Sequence, residues 1–295
     1  MQAGFQMALV LTQPDRPKGR GLELVPSPVK QSALKVGLPI YQPEKIKTNE
    51  ELQAKLREIA PDAIIVVGYG RIVPSWMLQL PKYGNINLHA SLLPKYRGAA
   101  PIQWAIANGE TVTGVTTMRI DEGLDTGDIL LQREVSISEN DTTETLAPTL
   151  AAIGADLMTE TLQGLQAGDI HPQKQENTQA TVAPLLKKED GRIDFGCSAQ
   201  EIYNRFRGFQ PWPGAFTTFR GRGLNITAMK PAMKQIPEEQ VQQAQLLVKT
   251  QQLFVRCANH SAIELLEVQP EGKKRISAED FVHGYRPQTG DRLEG

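Results

Sequence analysis

Cysteine is scarce in this chain. Cys197 and Cys257 are the only two among 295 residues, and they form no CxxC pair. A secreted protein of this size would more often carry several pairs, so the count points to a reducing cytoplasm. Long apolar runs are missing as well. "MALVL" and "AIIVVG" fall far short of the roughly 20 residues that cross a bilayer, and no basic-then-apolar signal segment opens the chain. The expected setting is therefore cytoplasmic, away from membranes. An excess of charge of one sign is also absent. A formal net charge of −1 excludes a globally basic nucleic-acid binder but leaves room for a local patch. No P-loop occurs, and "GRG" lacks the third glycine of a dinucleotide fingerprint.

What is present suits two domains, since single cores seldom grow past about 250 to 300 residues. Over residues 1–170, β-rich runs ("FQMALVL", "DAIIVVG", "NINLH", "GVTTMRI", "DILLQREV") alternate with helical patterns at Pro28 to Val36, Glu50 to Ile59, Pro101 to Asn108 and Thr142 to Gln166. That alternation predicts an α/β fold, a doubly wound, mostly parallel Rossmann-like sheet. Residues 171–190 turn polar and read as a surface linker. Residues 191–295 open with a Ser198/Glu201 capping box and a helix bearing Ile202, Phe206 and Phe209, then run through short strand-like segments. Those segments predict a small antiparallel β-barrel.

Three stretches carry candidate chemistry. In "NINLH", strand alternation sends Ile86 and Leu88 to one face and Asn87 and His89 to the other. In an open α/β sheet, ligands bind beyond the carboxyl ends of the strands, where this pair would emerge. A neutral imidazole can take a proton and an amide can donate to a developing oxyanion, a combination suited to attack on a carbonyl. The alternative is a polar strand end satisfied by backbone. The loop "DEGLDTGD" holds four carboxylates in eight residues but fails the calcium-hand pattern, so no metal is expected. It is either a solvated acidic turn or a carboxylate aimed at something cationic. In "TQPDRPKGRGLELVPSPVK", Arg16, Lys18 and Arg20 lie among prolines and glycines, a stiff cationic loop suited either to phosphate contacts or to a solvated connection.

Taken together, "TQPDRPKGRG", "SPVK", "NLHASLLPKYRGAAPIQWAI", "GVTTMRIDEGLDTGDIL" and "PWPGAF" resemble the motifs of the bacterial methionyl-tRNA formyltransferases, within the folate-dependent formyltransferases, from about residue 4 onward. The resemblance implies transfer of the formyl group of 10-formyltetrahydrofolate to the amine of initiator methionyl-tRNA, with no metal, and an OB-like C-terminal barrel that helps hold the tRNA. It places the active-site trio on Asn87, His89 and Asp125. It assigns folate contacts to Ser91, Leu92, Leu93 and Pro94, with Gly68, Tyr69, Gly70 and Ile72 lining the pterin pocket, and tRNA contacts to Arg16, Lys18 and Arg20. A monomer is expected.

Two departures stand out. The family's opening "FxGTPxFA" strand, turn and helix are absent, since "MQAGFQMALVL" already resembles the second strand. Leu22 and Glu23 stand where many relatives carry lysines. The alternatives are a formyltransferase acting on an amino-sugar nucleotide, against which "PDRPKGRG" and "GLDTGD" speak, or a truncated, non-catalytic folate or tRNA binder. A glycinamide ribonucleotide formyltransferase would end near residue 190.

Overall fold

The structure, a computed structural model, describes residues 3–18, 23–233 and 241–294, with Lys18 and Glu23 described by backbone alone. The elements run β1 (Val10–Leu11), β2 (Arg16–Lys18), β3 (Glu23–Val25), α1 (Pro28–Lys35), β4 (Ile40–Tyr41), α2 (Glu50–Ile59), β5 (Ile64–Val66), α3 (Ser75–Leu78), β6 (Asn85–His89), β7 (Arg97–Gly98), α4 (Pro101–Ala107), β8 (Val112–Arg119), β9 (Ile129–Ser136) and α5 (Thr143–Ala167). They continue with β10 (Val182–Ala183), α6 (Ala199–Gly208), β11 (Ala215–Phe219), β12 (Arg222–Pro231), β13 (Leu246–Lys249), β14 (Gln252–Arg256), β15 (Ala262–Pro270), β16 (Ile276–Ser277), α7 (Ala278–Tyr285) and β17 (Leu293–Glu294). The chain gathers into two compact units. One comprises Met1–Arg97, Val115–Arg133 and Ala152–Ala180, and the other Gly98–Gly114, Glu134–Ala151 and Thr181–Gly295. In this division α4 falls in the second unit, where it packs on α6.

In the first unit, local chemistry sets the helix starts. Ser27 accepts the amide of Lys30 ahead of α1, whose first residue is Pro28, and Asn49 accepts the amide of Leu52 at 2.8 Å ahead of α2. Leu52 and Leu56, one turn apart, are buried with Ile46 and Met77, and Leu11, Tyr41 and Ile64 pack around them. β1 and β4 form a two-stranded parallel sheet. A four-stranded sheet has the order β5-β6-β8-β9. There β5 and β6 are parallel, with Val66 opposite Asn87, while β8 runs antiparallel to β6, with His89 opposite Thr116. The α/β sheet is thus parallel at β5–β6 and reverses at β8. Ile86 and Leu88 join Leu130 and Met158 in a core against α5, which leaves Asn85, Asn87 and His89 on the other face.

The second unit is a curled antiparallel half-barrel in the order β13-β14-β15-β12-β11-β17, with β16 paired to β15. Its ends approach each other: the amide of Leu246 donates to the Asp291 carbonyl, and that of Gly290 to the Leu246 carbonyl, at 2.8 and 2.9 Å. The inner face buries Phe219, Ile226, Leu246, Leu253, Val255 and Leu265, with Phe281 from α7 and Ile202 from α6. α6 starts at the capping box anticipated from Ser198 and Glu201, and the Ser198 hydrogen bonds hold the Glu201 carboxyl below its ordinary range.

Candidate active site

The strand β6 delivers His89 to its carboxyl end, where the ring is buried. Nε2 lies 2.9 Å from the backbone carbonyl of Tyr96. A carbonyl only accepts, so Nε2 must carry the hydrogen, and Nδ1 is the nitrogen left to take up a proton. Nδ1 faces the Asp125 carboxylate at 3.8 Å. Asn87 stands on the same face of the strand, two residues back and about 7 Å away by two strand rises. It is half-buried, and its side chain makes no hydrogen bond among the described residues.

Two backbone conformations aim this arrangement. Tyr96, buried, has φ 61°, and Asp125 has φ 52°. The left-handed region is uncommon for a bulky residue and better tolerated by Asp. The loop from Ser91 to Tyr96 is held from beneath. Ser91 Oγ donates to the Lys95 carbonyl at 2.6 Å, and Thr116 Oγ1 donates to the Ser91 carbonyl at 2.7 Å while accepting the Leu93 amide. Gln132 Nε2 donates to both the Leu93 carbonyl and Thr116 Oγ1 at 2.9 Å. Ser91 and Leu93 therefore face inward and shape the loop, whereas Leu92 and Pro94 are half-buried. Sequence reasoning missed Tyr96, Thr116 and Gln132.

The acidic loop folds on itself before it reaches His89. Asp121 accepts from the Gly123 amide and from Thr126 Oγ1. Of the four carboxylates, only Asp125 is brought to the imidazole. Arg119 stands opposite Ile86, so the loop that follows must turn back toward the carboxyl end of β6. Gly127 permits this, because a Cβ there would lie 1.9 Å from the Arg119 carbonyl oxygen. Among the described residues no cluster of His, Cys, Asp or Glu could hold a metal ion.

The remaining assigned residues lie on neighbouring loops. Gly68 and Gly70 adopt positive φ around Tyr69, whose ring packs on the α2 core. The Tyr69 hydroxyl is buried without a partner among the described residues, and burial raises its pKa. Ile72 stands almost wholly in solvent, 91% exposed. Arg16 is exposed in β2, Lys18 pairs with Glu23 through backbone, and Arg20 lies outside the described residues. The base of this hairpin is anchored: Lys30 Nζ donates to Asp15 at 2.5 Å, and Gln42 Nε2 to Asp15 and to the Gln13 carbonyl. These bonds, that of Gln42 first, lower the Asp15 pKa.

The chain matches the formyl transferase family over residues 2–162 and the formyl transferase C-terminal domain over residues 185–286. It belongs to the formyl transferase family. It is 60% identical to the methionyl-tRNA formyltransferase of Acidobacterium capsulatum over 291 residues, covering 98% of this chain and 93% of that protein. Against the methionyl-tRNA formyltransferase of Koribacter versatilis the identity is 59% over 293 residues, covering 99% and 92%. Among solved structures, an N-formyltransferase from Helicobacter canadensis, in complex with folinic acid and dTDP-3-aminofucose, shares the fold with a TM-score of 0.61 at 21% identity, covering 81% of each chain.

The tight approach of Gly127 to Arg119 yields a first prediction. Gly127→Ala must displace the loop, at a cost of about 1 to 3 kcal/mol in stability, and turnover should fall further than the loss of folded protein explains. Thermal unfolding and kcat measured on the same preparation check this; unchanged values for both would show that the loop accommodates a methyl group.

Proposed function

We propose that this formyl transferase moves the formyl group of 10-formyltetrahydrofolate onto the α-amine of methionine carried by initiator tRNA, acting as a cytoplasmic monomer in translation initiation. The observation that carries the chemistry is His89, oriented by Tyr96 and Asp125 on one strand face with the unengaged amide of Asn87. The substrate reading is supported by the near full-length relatives at 59% and 60% identity.

Attack of the amine on the formyl carbon places negative charge on the formyl oxygen, and Asn87 donates its amide hydrogen there. His89 Nδ1 takes the proton that the amine nitrogen sheds, and Asp125 stabilises the imidazolium so formed. When the bond between the formyl carbon and N10 breaks, its electron pair returns to N10. His89 then hands the proton to that nitrogen. Nothing is oxidised, and no covalent enzyme intermediate is needed. Leu92, Pro94 and the loop from Gly68 to Ile72 form the folate side of the site, with Ser91 and Leu93 shaping its floor.

Incubation of the purified chain with methionyl-tRNA and 10-formyltetrahydrofolate should yield formyl-methionine, and a dTDP-amino sugar offered in its place should not be formylated. Asn87→Ala and His89→Ala should each lower the chemical step by roughly 100-fold or more. Asp125→Asn, which keeps the shape and tolerates left-handed backbone, should lose turnover with little loss of stability. Rates within about threefold of the parent for both Ala variants would remove Asn87 and His89 from the mechanism.

The Arg16 side chain has no hydrogen-bond or ion-pair partner among the described residues and stands exposed on the hairpin that Asp15 anchors, which suits contact with acceptor-stem phosphates. Arg16→Ala should raise the Michaelis constant for methionyl-tRNA and flatten its salt dependence, while leaving the folate constant unchanged. A salt series in which parent and variant coincide would exclude the hairpin as a tRNA arm.

A further inference from the structure

In the polar stretch from His171 to Ala180, where most side chains are exposed, Gln175 is half-buried. Its amide makes four hydrogen bonds. Nε2 donates to the carbonyls of Asp125 and Gly127, each at 2.8 Å. Oε1 accepts from Arg97 Nε at 3.0 Å and from Arg97 Nη2 at 2.8 Å. Two donors and two lone pairs exhaust what a carboxamide can do, so this side chain is fully committed. The segment is held in place by paired backbone bonds between Gln173 and Ile129, and Arg97 Nη2 also donates to Asn177 at 2.9 Å.

The two ends of this link are chemically specific. Arg97 directly follows Tyr96, whose carbonyl fixes His89 Nε2. Asp125, whose own carbonyl Gln175 grips, carries the carboxylate that faces Nδ1. Gln175 therefore connects the backbone on one side of the imidazole to the backbone on the other. We propose that Gln175, through Arg97, is a positioning residue that sets the spacing between Tyr96 and Asp125 and so holds His89 in its productive orientation. The inference rests on the formyl-transfer reading above. It assigns a catalytic consequence to a segment that the sequence pattern presents as a plain connector.

The distinguishing variant is Gln175→Glu, which keeps the shape and the contact with Arg97 but replaces both donors with acceptors facing two carbonyls. With methionyl-tRNA and 10-formyltetrahydrofolate, kcat should fall roughly 10- to 100-fold, the scale of a misplacement near 1 Å, with both Michaelis constants within about threefold of the parent. Hydrogen exchange should accelerate over Asp121–Asp128 and remain unchanged in the half-barrel. In an Asp125→Asn background the same substitution should cost less than about threefold, because the carboxylate it positions is already gone. A merely structural role would impose its penalty in both backgrounds. An active parent whose kcat is unchanged by Gln175→Glu, or a penalty that persists in full beside Asp125→Asn, overturns the positioning role alone. A parent that does not formylate methionyl-tRNA overturns the proposed reaction, and the positioning role with it.

Discussion

The hydrogen bond from His89 Nε2 to the Tyr96 carbonyl, 2.9 Å long and buried, is the contact on which the site depends. A backbone carbonyl has no hydrogen to give, so it fixes which ring nitrogen is protonated as firmly as it fixes where the ring points. That leaves Nδ1 turned to the Asp125 carboxylate. In the proposed reaction Nδ1 is the proton-handling atom, Asp125 the partner of the charged ring, and the Asn87 amide the donor to the oxygen that gains charge.

Holding a carbonyl in such a place has structural costs, and much of the surrounding loop offsets them. Tyr96 adopts a left-handed conformation that costs on the order of 1 to 2 kcal/mol. The loop would also bury polar groups without partners, each costing about 1 to 3 kcal/mol, were it not for Ser91, Thr116 and Gln132. Thr116 is fully buried and is engaged by three bonds, so the strand beside β6 acts as the template on which the loop is folded. The acidic loop is shaped in the same manner by its own Asp121 and by Gly127, which leaves Asp125 as the carboxylate brought to the imidazole.

Much of this was legible in the sequence, for physical reasons. A period of two in "NINLH" separates Ile86 and Leu88 from Asn87 and His89, and the helix over Glu50–Ile59 follows from its Asn49 cap and the spacing of Leu52 and Leu56. The Ser198/Glu201 box marks the start of α6. What escaped has no local signature. A carbonyl belongs to every residue, so nothing distinguishes Tyr96 as an acceptor. A threonine in a β-rich run looks like ordinary strand composition, which hides Thr116. Gln175 lies among other polar residues with no periodicity, and only the folded chain shows that it turns inward while Gln173 and Gln179 do not. The packing of α4 on α6, which joins segments about a hundred residues apart, likewise has no local signature.

The central claim is the tautomer of His89. A long-range proton–nitrogen correlation spectrum of the chain labelled with 15N-histidine reports directly which ring nitrogen carries hydrogen in the neutral ring. The account predicts that the His89 signals are those of the Nε2–H form, with Nδ1 unprotonated until the ring becomes charged. Signals of a neutral Nδ1–H ring, with Nε2 bare, would contradict it.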